Sequence, residues 1–256
     1  SYKNDPRDEK VNLSIGIYSD AEGKVPVLKA VKAAEAYLFE HSGPRVYLPM
    51  QGLGSYIDCV QKLLFTEDHE LYQTERLATV QSLGGTGALK VGADFLHSIK
   101  PNSKVYVSKP TWNNHIAIFA GAGFEVEEYP YFDPKTKGVD FAAFFKKMEE
   151  IPEESIVVLH ACCHNPTGAD LSTEQWQQLA DLFKARNLIP FLDMAYQGFS
   201  KGIREDAEAI HIFAAKEMPV FIATSFSKSF SLYSERIGAL TVITSDKEEQ
   251  ERVTSQ

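Results

Sequence analysis

Cysteine is scarce in this 256-residue sequence: there are three, two of them the neighbours Cys162 and Cys163. An odd count with that spacing makes no disulfide framework and fits a reducing cytoplasm. Long apolar runs are missing as well. None approaches the roughly 20 residues that span a bilayer, and the opening stretch 1–10 carries charge of both signs without an apolar signal core, so neither membrane insertion nor secretion is expected. Basic charge is in deficit, with 26 Lys and Arg against 35 Asp and Glu and a formal net charge of -9. No basic block is available to coat a phosphate backbone, which argues against nucleic acid as a partner. What remains, 44% hydrophobic and 24% charged residues, is the balance of a soluble globular chain long enough for one large domain or two small ones.

From Leu77 onward, short apolar β-branched runs alternate with longer amphipathic ones, the pattern of a sheet covered by helices on both faces. Strands are expected at 104–107, 125–129, 155–161, 189–193, 220–225 and 238–244, and their near-continuous hydrophobicity argues for parallel pairing. Helices are expected at 87–98, 114–122, 141–149, 173–186 and 207–216, with Asp140 and the Ser172–Gln175 cluster as start signals. The N-terminal stretch differs: an extended 11–18 leads through a turn at 21–23 to a helix begun by Pro26 and running to about Glu40. A Gly- and Pro-rich loop at 43–54 follows, and no internal repeat is present.

Four clusters bear chemistry. Gly84–Gly85–Thr86–Gly87 feeds a glycine-rich turn into a helix, where free backbone N–H groups and the helix dipole favour an anion. It is neither a Walker A motif nor a dinucleotide fingerprint, and close approach of helix to strand explains the same glycines. His160 to Gly168 leaves a strand end through Asn165–Pro166–Thr167–Gly168. Its four Cys and His residues are too crowded to surround one zinc ion, and the run reads as a ligand-edge loop or as a plain turn. Asp193 ends an apolar strand three residues before Tyr196, so it requires a cationic partner: a cofactor, or a salt bridge that serves only the fold. Lys228, among Ser225, Ser227 and Ser229 after another strand, is either a surface lysine or an enclosed amine suited to Schiff-base chemistry, and Arg236 downstream offers a bidentate fork to an anion. All four fall at the edge where α/β sheets hold ligands. Together they supply an anion site, an amine for an aldehyde and a partner for a pyridinium nitrogen, which pyridoxal phosphate requires.

GGTGAL, PTWNNH, HACCHNPTGAD, DMAYQGF and SFSKSFSLYSERIG stand here in an order and spacing that resembles the class I aminotransferases of fold type I. The resemblance covers essentially the whole chain. LSIGIY, YLPMQGL and TWNNHIAIFAGAGFEV look most like the bacterial aromatic-amino-acid (tyrosine) branch, with the aspartate branch close by. It implies an α/β fold, the three-layer large domain of that fold type with a mostly parallel sheet, comprising residues 26–256, with 1–25 belonging to a small domain. It implies transamination between tyrosine or phenylalanine and 2-oxoglutarate with pyridoxal phosphate as cofactor, in a cytoplasmic homodimer with sites shared between subunits. By the same resemblance Lys228 is the Schiff-base lysine and proton carrier, and Asp193, supported by His115, holds the pyridine nitrogen protonated. Tyr196 and Asn165 hydrogen-bond the cofactor's 3′-oxygen, and Trp112 stacks on its ring. Gly84, Gly85, Thr86, Ser225 and Arg236 hold the phosphate, joined by Tyr47 of the other subunit, while Gly16 lies over the substrate, which Trp112 and Asn165 also touch. The family's two substrate-carboxylate arginines lie beyond Gln256, so the chain reads as a fragment of a longer product, with catalytic incompetence of the fragment as the alternative from another class.

Overall fold

The structure, a computed structural model, describes residues 4–7, 9–10 and 16–256. The expected extended segment at 11–18 falls mostly outside these. The chain groups into two compact units, Ser1–Arg45 and Val46–Gln256. In the first, a turn at 21–23 with Gly23 at φ 75° precedes α1 (Lys29–Glu40). The helix begins three residues after Pro26.

The second unit is built on a seven-stranded sheet: β1 (Leu77–Leu83), β2 (Val105–Lys109), β3 (Val126–Pro130), β6 (Ile156–His160), β7 (Ile189–Met194), β8 (Val220–Ser225) and β9 (Ile237–Ile243). A two-stranded ribbon, β4 (Phe132–Asp133) with β5 (Gly138–Val139), stands apart. The order across the sheet is β1-β9-β8-β7-β6-β2-β3. The strands read as near-continuous apolar runs because both faces are covered. In β6, Val157 and Leu159 enter one core while Ile156 and Val158 enter the other. The first core takes in α2 (Gly54–Phe65), α6 (Phe141–Glu150), α7 (Thr173–Ala185) and α8 (Glu208–Ala214); the second takes in α4 (Gly84–Ile99) and α5 (Asn113–Gly121). The short α3 (Glu70–Gln73) and α9 (Lys247–Thr254) complete the α-helices among the described residues. Local chemistry sets their starts: Ser172 and Gln175 form a reciprocal capping box on α7, and the carboxylates of Asp140 and Asp246 accept from backbone N–H groups in the first turns of α6 and α9.

Three expectations are corrected. The strand at 77–83 was not foreseen, because Gln81 and Ser82 interrupt its apolar run at an exposed end. Helix α4 begins at Gly84 rather than Gly87, so the glycine run is itself the first helical turn. Uniform parallel pairing also fails at β9, which runs antiparallel to both β8 and β1. A parallel neighbour needs a crossover that returns the chain to the starting edge, whereas the segment 226–236 turns back without a helix.

Close packing of α4 on the sheet rests on Gly92. A Cβ there would lie 2.6 Å from Cζ of Phe191, a ring already wedged against Phe119 and Phe221. Gly92→Ala is therefore expected to destabilise the chain by about 1–3 kcal/mol despite the better helix propensity of alanine, seen as a lower midpoint in urea unfolding.

Candidate active site

Six strands, β1, β2, β3, β6, β7 and β8, end on one edge of the sheet, and β9 starts there because it is reversed. Asp193 lies near the end of β7, level with His160 on β6, and is buried. Its Oδ2 lies 2.9 Å from Nε2 of His115 in the first turn of α5. Nδ1 of His115 is 2.9 Å from Oγ1 of Thr111, which is in turn 3.3 Å from Nε2 of His160. The carboxylate that the sequence left in need of a partner thus has a fully buried imidazole behind it. The indole of Trp112 stands edge-on to that imidazole, with ring centroids 5.4 Å apart.

The glycine cluster packs more tightly than a turn requires. Gly84 has φ 68°, and a Cβ on it would lie 2.8 Å from Nη2 of Arg236; one on Gly85 would lie 2.9 Å from Cβ of Ser225. Gly238, paired with Ser82 on one side and Ser225 on the other, leaves no room for a side chain against the Gly84 carbonyl. Tyr56 of α2 donates to the Gly238 carbonyl at 2.8 Å. Arg236 donates from Nη1 to Oγ of Ser227 and to the Tyr233 carbonyl, both at 3.2 Å. The N-terminal turn of α4, the Ser225 hydroxyl and the Arg236 guanidinium are therefore gathered in one small region, a set of donors suited to an anion.

Lys228 is half-buried, and its Nζ lies over the ring of Tyr196 at 5.2 Å from the centroid. Burial pushes the amine below its ordinary pKa and the charge of Arg236 pushes it further, while Asp193 pulls the other way. The Tyr196 phenol is raised, chiefly by burial and then by the charge of Asp193. A larger neutral fraction makes an amine a better nucleophile and base.

Asn165 follows His164 in the loop beyond β6, and its backbone N–H donates to Nδ1 of His160 at 3.4 Å. Of the other expected residues, Thr86 is partly buried in the first turn of α4. Tyr47 is fully exposed in the irregular stretch before α2, and Gly16 belongs to the first compact unit.

Sequence reasoning missed the carboxylates that shape the loops. Asp170 accepts from the N–H groups of Cys163 and His164 at 2.7 and 2.8 Å. Asp206 is buried and accepts from those of Gly198, Ser200, Lys201 and Gly202, at 2.8 to 3.4 Å, holding the chain beyond Tyr196. Asp170 carried a faint signal, an acid just beyond a Pro-Thr-Gly turn; Asp206, within a run of charged residues, carried none. Thr111 and His160 were quoted only as parts of longer motifs.

Removing the Asp206 carboxylate strips the 198–202 loop of its acceptor, so Asp206→Ala should cost about 1–3 kcal/mol in urea unfolding. A second expectation concerns pH. Burial is the main cause that pushes His164 down to about 4, from 6.5 for a free imidazole, and takes His160 well below its ordinary value. The folded chain therefore binds fewer protons than the unfolded one in this window. The resulting stability is complete above pH 6.5 and is lost as pH falls through 4. The drop in unfolding free energy between pH 7 and pH 4 should be smaller in His164→Phe than in the native chain, by on the order of 2 kcal/mol.

Known proteins share this sequence pattern and this fold. Residues 8–256 match the family model for aminotransferase class I and II. The aromatic-amino-acid aminotransferase of Escherichia coli K12 is 53% identical over all of this chain and 64% of its own length. An aspartate aminotransferase of Pseudomonas aeruginosa is 49% identical with the same coverage. A crystal structure of the aromatic-amino-acid aminotransferase from Burkholderia pseudomallei, covalently bound to pyridoxal phosphate, superposes with TM-score 0.96 at 52% identity, covering 99% of this chain and 64% of that one. The chain thus spans about 64% of the length of the relatives it matches. With its mostly parallel sheet and these matches, the chain belongs to the class I and II aminotransferases.

Proposed function

We propose that this chain is the cofactor-binding part of a pyridoxal-phosphate-dependent aminotransferase that exchanges the amino group of tyrosine or phenylalanine with 2-oxoglutarate. The observation that carries the reading is the Lys228 amine over Tyr196, under the influence of both Asp193 and Arg236 and at the same sheet edge as the glycine-lined anion cradle. The residues fit the cofactor: where a Cβ on Gly84 or Gly85 would strike Arg236 or Ser225, the missing side chains leave the donors of the cradle uncovered. When bound, pyridoxal phosphate supplies an aldehyde for an amine and a protonated ring that draws electrons from the substrate's α-carbon.

The N–H groups of Gly84, Gly85 and Thr86 would hold the phosphate with Ser225 and Arg236. Asp193 commits one oxygen to His115 and offers the other to the ring N–H, a buried charge meeting its counter-charge. Tyr196 and Asn165 would donate to the 3′-oxygen, and Trp112 would cover the ring. Lys228 Nζ, poorly solvated and so more often neutral, would be the amine for the cofactor's aldehyde and the base for the substrate's α-proton. Tyr47 would reach the phosphate of a second subunit in a cytoplasmic two-fold dimer, and Gly16 would lie over the substrate. Aspartate as donor is the second reading, favoured by the 49% identical aspartate aminotransferase.

Mixing the chain with pyridoxal phosphate, reducing with borohydride and mapping the peptides should place the adduct on Lys228. Lys228→Ala should carry none, and Gly85→Ala should weaken binding at least about tenfold through crowding of Ser225. An adduct on another lysine overturns the assignment. On a protein of full family length, kcat/KM for tyrosine above that for aspartate supports the aromatic reading, and the reverse order supports the second.

A further inference from the structure

Asn165 stands in the least regular part of the site edge. Between His160 at the end of β6 and the cap of α7, residues 161–171 form neither helix nor strand, and Cys163 lies in the left-handed region at φ 50°. Backbone of this kind does not set its own course, so something must aim the residue it carries.

The residue before Asn165 is tied down from several directions. The His164 ring is 2% exposed. Its Nε2 lies 2.9 Å from Oγ of Ser108, near the end of β2, and its Nδ1 lies 2.8 Å from Oγ1 of Thr167, within the loop itself. Its face stacks on Tyr131, which follows β3, at 3.9 Å between centroids and 13° between planes. The Tyr131 hydroxyl donates to the Ala169 carbonyl at 2.7 Å, closing the loop from its far side. The backbone is held as well: the His164 N–H donates to Asp170 and its carbonyl accepts from Gly168 at 2.7 Å. A buried imidazole with both nitrogens engaged is a poor choice for filling space, since a phenyl ring would stack on Tyr131 without polar groups to satisfy. Its polar contacts are directional, and they join the loop to a strand.

We infer that His164 is a positioning residue: by bridging Ser108 and Thr167 while stacked on Tyr131, it holds the backbone from which Asn165 reaches the cofactor's 3′-oxygen. The inference deepens the cofactor reading and rests on it for the role of Asn165. A donor to that oxygen stabilises its negative charge, so losing the donor raises the pH at which the visible absorption band of the bound cofactor changes.

The test is a double-mutant cycle on the purified chain with His164→Phe, Asn165→Ala and the pair, read by pyridoxal phosphate titration and by the pH midpoint of the visible band. His164→Phe should weaken the cofactor by about 3- to 10-fold and raise the midpoint by about half a unit or more. It should add less than about twofold in the Asn165→Ala background, because the two act as one. His164→Gln, which keeps a donor and an acceptor, should recover much of the loss. Without cofactor, amide deuterium exchange should speed up across residues 161–168 in His164→Phe while β6 and β7 stay protected. Unchanged exchange over 161–168, or effects that add fully in the cycle, would overturn the inference. A native chain that takes up no pyridoxal phosphate would instead defeat the cofactor reading, and the exchange result would still decide whether His164 holds the loop.

Discussion

A carboxylate buried at the end of a central strand is the constraint around which this edge of the molecule is arranged. Asp193 cannot lie among β6, β7 and β8 as an isolated charge, and the imidazole of His115, 2.9 Å away, is the group the fold brings to it. That pairing ties the start of α5 to the middle of the sheet. Thr111 extends the tie to His160 on the neighbouring strand, so one polar chain crosses the ends of β2, β6 and β7. Removing the imidazole would leave the buried Asp193 carboxylate without this partner, at a cost of about 1–3 kcal/mol or more.

Loops at this edge are held by carboxylates acting on backbone. Asp170 gathers two N–H groups and Asp206 gathers four, each doing what a strand ladder would do if the chain were regular there. The result is irregular backbone with defined course, which lets Tyr196 and Asn165 leave the ends of adjacent strands. Chemistry at such an edge depends on side chains that are held rather than free, since misplacement by about an ångström costs orders of magnitude in rate.

The reversal of β9 is the other consequence-laden feature. Were β9 parallel, its first residues would lie at the opposite edge of the sheet and Arg236 with them. Because it runs back beside β8, Arg236 emerges next to Ser225 and Gly84, and Gly238 is compressed between the two neighbouring strands. Glycine at 84, 85 and 238 follows from this crowding as much as from any need for turns.

The layered α/β architecture, six of the helices and six of the sheet strands were legible in the sequence, because apolar periodicity and capping residues such as Asp140 and Ser172 act locally. So were Lys228, Asp193, Tyr196 and the glycine run, since each breaks an apolar pattern where a buried strand ends. The strand at Leu77–Leu83, the direction of β9 and the loop carboxylates lay beyond that reading, and the His115 support of Asp193 came from the family resemblance rather than from local pattern. These depend on residues far apart in the chain: Arg236 meets Gly84, and His115 meets Asp193, only after the sheet has assembled. By itself the sequence determined most of the elements and which polar residues stand at strand ends, through short-range sterics and hydrophobic pattern. Only the tertiary structure decided which of them face one another, because pairing across a sheet is set by long-range burial and strand direction, and neither is written in local spacing.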